Sequence, residues 1–265
     1  MFRVKEFFHS LFHKTVRGKP TERHSYLKTS DGHSISTYHY HTNHKQVIVF
    51  AHGFYNNKDV YLFRKLILHF SEHFDVIGFD FRGHGKSTGL FRWTAQEEKD
   101  LECVVEYAKE HNYKRIGVIG FSLGAAIALI AASRNRDINS VIAVSPPYDF
   151  WKINYHFWKS EMWQDLKLNL GRKGLGKKIR PGNPFEKKIR PIDIVDKIAP
   201  TPVYFVHGEE DWLIDPRHSA LLYDRAKNPK KIYIIPKTGH AERIYDVKPD
   251  LFVNTCVEWF KKTLI

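Results

Sequence analysis

The sequence predicts an α/β protein: a mostly parallel sheet covered by helices on both faces. Two observations predict it. Short runs rich in Val, Ile and Phe alternate with longer segments of helical period. The 265 residues, 42% apolar and 14% aromatic, are enough to bury one core and far too bulky for a disordered chain.

Eight strands are expected, at 24–29, 34–41, 46–51, 74–80, 115–120, 139–144, 202–207 and 231–235. The first two form a hairpin, because Ser30-Asp31-Gly32-His33 supplies the Asp-Gly of a tight turn. Helical spacing marks 58–73, 97–111, 123–135, 217–227 and 249–264. In the second of these, Leu101, Val104, Val105 and Ala108 recur at intervals of three and four and define one buried stripe. The third is apolar nearly all round, from Ala125 to Ala131, and belongs in the middle of the molecule.

The alternation breaks between strands 6 and 7, where about fifty residues stand in place of a short helix. The chain therefore divides into a core at 19–147 and 200–265 and a cap insertion at 148–199. The first half of the cap is aromatic; the second, 172–190, holds eight Lys or Arg against the single acid Glu186. Residues 1–18 place Val4, Phe7, Phe8, Leu11 and Phe12 on one helical face among Arg3, Lys5, Lys14 and Arg17. Such an amphipathic basic helix docks on the protein's own body or on an anionic membrane surface, and a Phe-rich stripe favours the former.

Composition excludes several classes. Cys103 and Cys256 stand far apart in separate helices, so neither a disulfide framework nor a Cys metal site is expected, and a cytoplasmic setting follows. No apolar run reaches the ~20 residues that span a bilayer, and charges interrupt the N-terminus where a signal peptide needs an apolar stretch. The net charge of +13 sets a positive field without choosing a partner, and no specific nucleic acid is expected. Among the 16 histidines, His39, His41 and His44 lack a Cys or carboxylate at zinc-site spacing and read as solvated surface residues, so no metal and no cofactor are expected.

The chemistry rests on Gly120-Phe121-Ser122-Leu123-Gly124, a Gly-x-Ser-x-Gly between an expected strand and an expected helix. A sharp strand-to-helix turn strains the central residue and thrusts its hydroxyl clear of the sheet. A serine hydroxyl attacks well only when a base takes its proton and a third group orients that base. His207-Gly208-Glu209-Glu210-Asp211 and Thr238-Gly239-His240 each follow a strand, on the carboxyl edge where Ser122 also emerges. His240 is the candidate base. Asp211, Glu209 and Glu210 all offer a carboxylate; Asp215, followed by Pro216 and a helix, is explained by capping.

These segments, with His52-Gly53-Phe54 and Asp80-Phe81-Arg82-Gly83-His84-Gly85-Lys86-Ser87, resemble the α/β-hydrolase superfamily over nearly the whole chain. Within it the chain looks most similar to serine-aminopeptidase-like and monoglyceride-lipase-like esterases. The resemblance implies a catalytic triad of Ser122, Asp211 and His240, because the family pattern His-Gly-x-x-Asp lands on Asp211. It also implies an oxyanion hole from the backbone N–H groups of Phe54 and Leu123. Gly85-Lys86-Ser87 is not a phosphate loop, since the first Gly of that motif would fall on Asp80. His52 and His84 are given structural or rim roles.

The implied activity is a serine carboxylesterase acting on a small acyl ester, with Tyr148, Trp151 and Trp158 of the cap lining an apolar substrate pocket. The same cap composition also suits a solvated basic face over a small aromatic core. A peptidase or amidase would use the same triad, and a non-catalytic lipid- or nucleic-acid-binding module is the rival from another class.

Overall fold

The computed structural model describes residues 21–153 and 179–265. The expected N-terminal helix at 1–18, Trp158 and much of the 148–199 insertion lie outside the described residues. Eight strands form one sheet: β1 (Thr21–Lys28), β2 (Ser34–His41), β3 (Gln46–Ala51), β4 (Asp75–Phe79), β5 (Arg115–Phe121), β6 (Ile138–Val144), β7 (Val203–Gly208) and β8 (Lys230–Ile235). Their order is β1-β2-β4-β3-β5-β6-β7-β8. β2 pairs antiparallel with both β1 and β4, and the remaining pairs are parallel.

The expected hairpin forms, with Leu27 opposite Ile35 and Lys28 opposite Ser34. Its turn needs Gly32, whose φ of 87° lies in the left-handed region. The helices are α1 (Tyr61–Phe70), α2 (Glu98–Glu110), α3 (Leu123–Ala132), α4 (Arg217–Arg225), α5 (Arg243–Val247) and α6 (Pro249–Thr263). α5 escapes sequence reading because five residues are too few to show a helical period.

Strand alternation divides the core into two layers. On β3, Val47 and Val49 join the layer under α2, α3 and α4, while Ile48 and Phe50 join the layer under α1, α5 and α6. α3 is buried along its whole length, as its all-round apolar sequence requires. No helix among the described residues is long and apolar enough to cross a membrane.

Two buried ion pairs fasten the loop after β4. Lys58 and Asp80 are both fully buried, with Nζ donating to Oδ2 at 2.7 Å. Asp80 also accepts the N–H groups of Lys58 and Lys86. A Cβ at Gly85 would lie 2.3 Å from that carboxylate, so the glycine makes room for Asp80 and not for a phosphate. Arg82 joins Asp100 of α2 to Asp31 of the hairpin turn through hydrogen bonds of 2.8 Å to each.

The spacing argument that left His39, His41 and His44 without a carboxylate is corrected by the fold. Asp75, distant in sequence, begins β4 and lies 2.7 Å from His41 and 3.4 Å from His44.

Removing one member of the Lys58–Asp80 pair strands a buried charge. Lys58→Ala is expected to lower unfolding free energy by about 3–5 kcal/mol, measured by urea denaturation.

Candidate active site

The turn between β5 and α3 holds Ser122 at φ 52° and ψ −115°, a conformation that L-residues rarely adopt. Close backbone approach imposes it. A Cβ at Gly120 would sit 2.4 Å from the Gly124 carbonyl oxygen, and one at Gly124 would sit 2.2 Å from the carbonyl oxygen of Ala51. A larger residue at Gly124 would push the turn off β3, and one at Gly120 would push the start of α3 away from β5. The Ser122 N–H donates to Val144 O at 2.8 Å, so it is already engaged. Leu123 opens α3, where backbone N–H groups have no intrahelical acceptor.

The His52–Phe54 segment runs alongside, since a Cβ at Gly53 would be 3.5 Å from Ser122 Cβ. His52 is fully buried, which pushes its pKa well below the ordinary value. The neutral ring donates from Nδ1 to Gly53 O at 2.8 Å and accepts the Phe81 N–H on Nε2 at 3.0 Å. His84 places Nε2 2.8 Å from Phe54 O. Both histidines thus hold the loop that carries Phe54, the structural role expected of them.

Of the candidate carboxylates, Asp211 is the one that meets His240. Asp211 Oδ1 accepts the N–H groups of Leu213 and Ile214 at 3.0 and 2.9 Å, and Oδ2 accepts from His240 Nδ1 at 2.7 Å. Burial raises the carboxyl pKa, but the His240 charge and the hydrogen bonds from His207 and His240 outweigh it and hold Asp211 well below the carboxylate range. Asp215 is used locally, accepting the Arg217 N–H at 2.9 Å. Glu209 turns to the Lys237 N–H.

Sequence reading missed three supports. His207, at the end of β7, lies 3.1 Å from Asp211 Oδ2, donates to Ile214 O from Nε2 and faces Ser219 Oγ through Nδ1. Its place four residues before Asp211 was the available signal. Ser145 accepts the N–H of Ala241 on its hydroxyl at 3.1 Å. Because Ser145 follows Val144, the acceptor of the Ser122 N–H, this bond ties the His240 loop to the Ser122 turn. Asn56 donates to Glu242 Oε1 at 2.6 Å and joins the same loop to the Gly53 segment. Finally, a Cβ at Gly208 would be 2.1 Å from Gly239 O, so the Asp211 and His240 loops also pack backbone to backbone.

Residues 46–180, about half of the chain, match the family model of the alpha/beta hydrolase fold. The chain belongs to the α/β-hydrolase family. It is 25% identical over 198 residues to the uncharacterized protein YfhR of Escherichia coli O157:H7, a match covering 72% of this chain and 62% of YfhR. The chain thus spans about three fifths of that relative. A probable alcohol acetyltransferase of Cyberlindnera jadinii is 33% identical over 100 residues, 37% of this chain and 27% of its own. A solved structure of the Pyrococcus furiosus esterase Pf2001 superposes with a TM-score of 0.74 at 20% identity, covering 95% of this chain and 98% of that one.

Of the expected pocket residues, Tyr148 is half-buried with its ring 4.5 Å from that of His218, and Trp151 is exposed beneath the Lys188 ammonium at 4.6 Å. Trp158 lies outside the described residues. An aromatic ladder that sequence reading missed leads outward from Phe54: Trp93 stacks on it at 5.0 Å, and Phe150 meets Trp93 at 5.6 Å. The far end of the insertion is anchored there too, with Gly182 donating to Phe91 O and accepting from Trp93 Nε1.

Glu97 closes this segment from below. It is buried; Oε1 accepts the Arg92 N–H, whereas Oε2 has no hydrogen-bond partner. Burial pushes its pKa from 4.5 up to about 7. The folded chain therefore binds the proton more tightly than the unfolded chain, and the stability this group contributes is full below the unfolded value and lost as pH rises through about 7. Glu97→Gln should accordingly stabilise the protein at pH 8 by roughly 2–3 kcal/mol and leave it little changed at pH 4, read from melts at the two pH values.

Proposed function

We propose that the chain is a serine hydrolase that cleaves carboxylic esters through an acyl-serine intermediate. The observation that carries this reading is the His240 Nδ1 to Asp211 Oδ2 hydrogen bond at 2.7 Å, made by a buried carboxylate that two backbone N–H groups already orient. It leaves His240 Nε2 as the basic nitrogen, and Ser122, on its strained turn, as the nucleophile.

In this mechanism His240 takes the hydroxyl proton as Ser122 Oγ attacks the ester carbonyl. Asp211 stabilises the imidazolium that forms. The N–H groups of Phe54 and Leu123 receive the tetrahedral oxyanion, because the Ser122 N–H is engaged by Val144 and Leu123 opens α3 ahead of the first intrahelical bonds, which Ala125 and Ala126 make to Ser122 O. The imidazolium then protonates the leaving alcohol. Water repeats the sequence on the acyl-serine to release the acid.

The structural neighbour from Pyrococcus furiosus is an esterase, which supports this reading. The ladder of Phe54, Trp93 and Phe150 favours substrates whose acyl side is apolar or aromatic, and Tyr148, Trp151 and Trp158 of the cap extend that wall in the proposal.

Ser122→Ala should lower kcat on p-nitrophenyl esters by roughly 10⁴-fold or more and abolish labelling by a fluorophosphonate, with the melting temperature essentially kept. Unchanged turnover in that variant would sink the assignment. On a panel of p-nitrophenyl esters of graded acyl length, kcat/KM is expected to rise with chain length and to fall back in Trp93→Ala. A profile indifferent to length would remove the aromatic wall from the substrate site.

A further inference from the structure

A second constellation lies on the opposite edge of the sheet. His39 and His41 stand two residues apart on β2, so both imidazoles leave the same face. The β2–β4 register sets His39 against Ile77 and Tyr40 against Val76, which brings His41 alongside Asp75. The ligand atoms of His39, His41 and Asp75 all lie within 4.8 Å of one another. Tyr113, just beyond α2, sets its phenol oxygen among them: 3.0 Å from His39 Nε2, 3.1 Å from His41 Nδ1 and 2.5 Å from Asp75 Oδ2.

The carboxylate is held the way a metal ligand is held. Asp75 is fully buried, and its Oδ1 is saturated by the Thr42 N–H at 2.8 Å, the Thr42 hydroxyl at 2.8 Å and the His44 N–H at 3.1 Å. Oδ2 is thereby left to face the imidazoles. His39 Nδ1 lies 3.4 Å from the Tyr107 hydroxyl, a partner for the ring nitrogen that points away from the cluster. The His41 side chain is half exposed and opens onto a cavity of about 540 Å³ that His44, His111 and Tyr113 also line, which gives an ion a way in.

We propose that His39, His41 and Asp75 ligate a divalent transition-metal ion of the zinc type, with the Tyr113 oxygen beside the fourth position. Two imidazoles and a carboxylate are the donors such ions select over magnesium or calcium. A tetrahedral ion with bonds of about 2.0 Å holds its donors about 3.3 Å apart, so His41 Nδ1 and Asp75 Oδ2, now 2.7 Å apart, would open by about 0.6 Å, within a cluster whose ligand atoms all lie within 4.8 Å of one another. The ion would staple β2, β4 and the turn before β5. It stands at the start of β4, whereas Ser122 follows the end of β5, about 20 Å away along a seven-residue strand. Its role is structural, separate from the Ser122 chemistry.

The test uses the full chain freed of metal with a chelator, titrated with Zn²⁺ by calorimetry and followed by thermal melting. The expected result is one tight equivalent, with the melting temperature raised by about 5 °C at 100-fold the dissociation constant. His41→Ala and Asp75→Asn should each weaken that equivalent by about 100-fold or more, while His24→Ala and Ser122→Ala keep it. Co²⁺ should give the visible bands of a four-coordinate ion in the wild-type chain and lose them in His41→Ala. Undiminished Zn²⁺ affinity in both ligand variants, or a wild-type chain without four-coordinate Co²⁺ bands, overturns the proposal. Either outcome leaves the hydrolase reading untouched, since Ser122→Ala reports on that separately.

Discussion

A Cβ at Gly124 would lie 2.2 Å from the carbonyl oxygen of Ala51, and one at Gly208 would lie 2.1 Å from that of Gly239. Backbone therefore meets backbone twice at the carboxyl edge of the sheet, at separations no side chain survives. The first contact presses the Ser122 turn against β3, which leads directly into the Gly53 segment. The second presses the loop carrying Asp211 against the loop carrying His240. Everything at this rim depends on those two approaches, because loops held by backbone contact have little freedom to carry their side chains out of register.

Charge is handled consistently below the rim. Lys58 with Asp80 and Arg82 with Asp100 are buried ion pairs with additional hydrogen bonds, Arg82 reaching on to the exposed Asp31, and they fix the loop after β4 that supports His52 and His84. Such pairs add little to net stability compared with apolar packing, but they enforce one arrangement, since breaking any of them leaves an uncompensated buried charge. Asp211 follows the same logic with a different outcome. Its partners are histidines, and one of them, His240, is the member that reaches the accessible side of the rim.

The aromatic ladder joins the site to the insertion. Phe54 belongs to the loop beside Ser122, Trp93 to the segment before α2, and Phe150 to the start of the insertion. Its far end returns at Gly182 to bond Phe91 and Trp93. The two described ends of the insertion thus both rest on the segment around Trp93, which Glu97 underpins through the Arg92 N–H. The aromatic ladder, the anchoring of the insertion and a buried titratable group share one short stretch of chain.

Local pattern determined much of this protein. Eight strands, the Asp-Gly hairpin, the wholly buried α3 and the Gly-x-Ser-x-Gly turn were legible because each is written in the period and punctuation of contiguous residues. Asp211 was singled out over Glu209, Glu210 and Asp215 by resemblance and by capping logic, whereas its burial against His240 is visible only in the fold. Ser145 and Asn56 stayed hidden for a related reason: each acts on a partner far away in sequence, Ala241 and Glu242, that only the fold brings close. The pairing of His41 with Asp75 is the clearest case, because antiparallel register joins residues 34 positions apart that no spacing rule would connect. Periodicity sets which residues turn inward, whereas the placement of one strand beside another decides what they meet there.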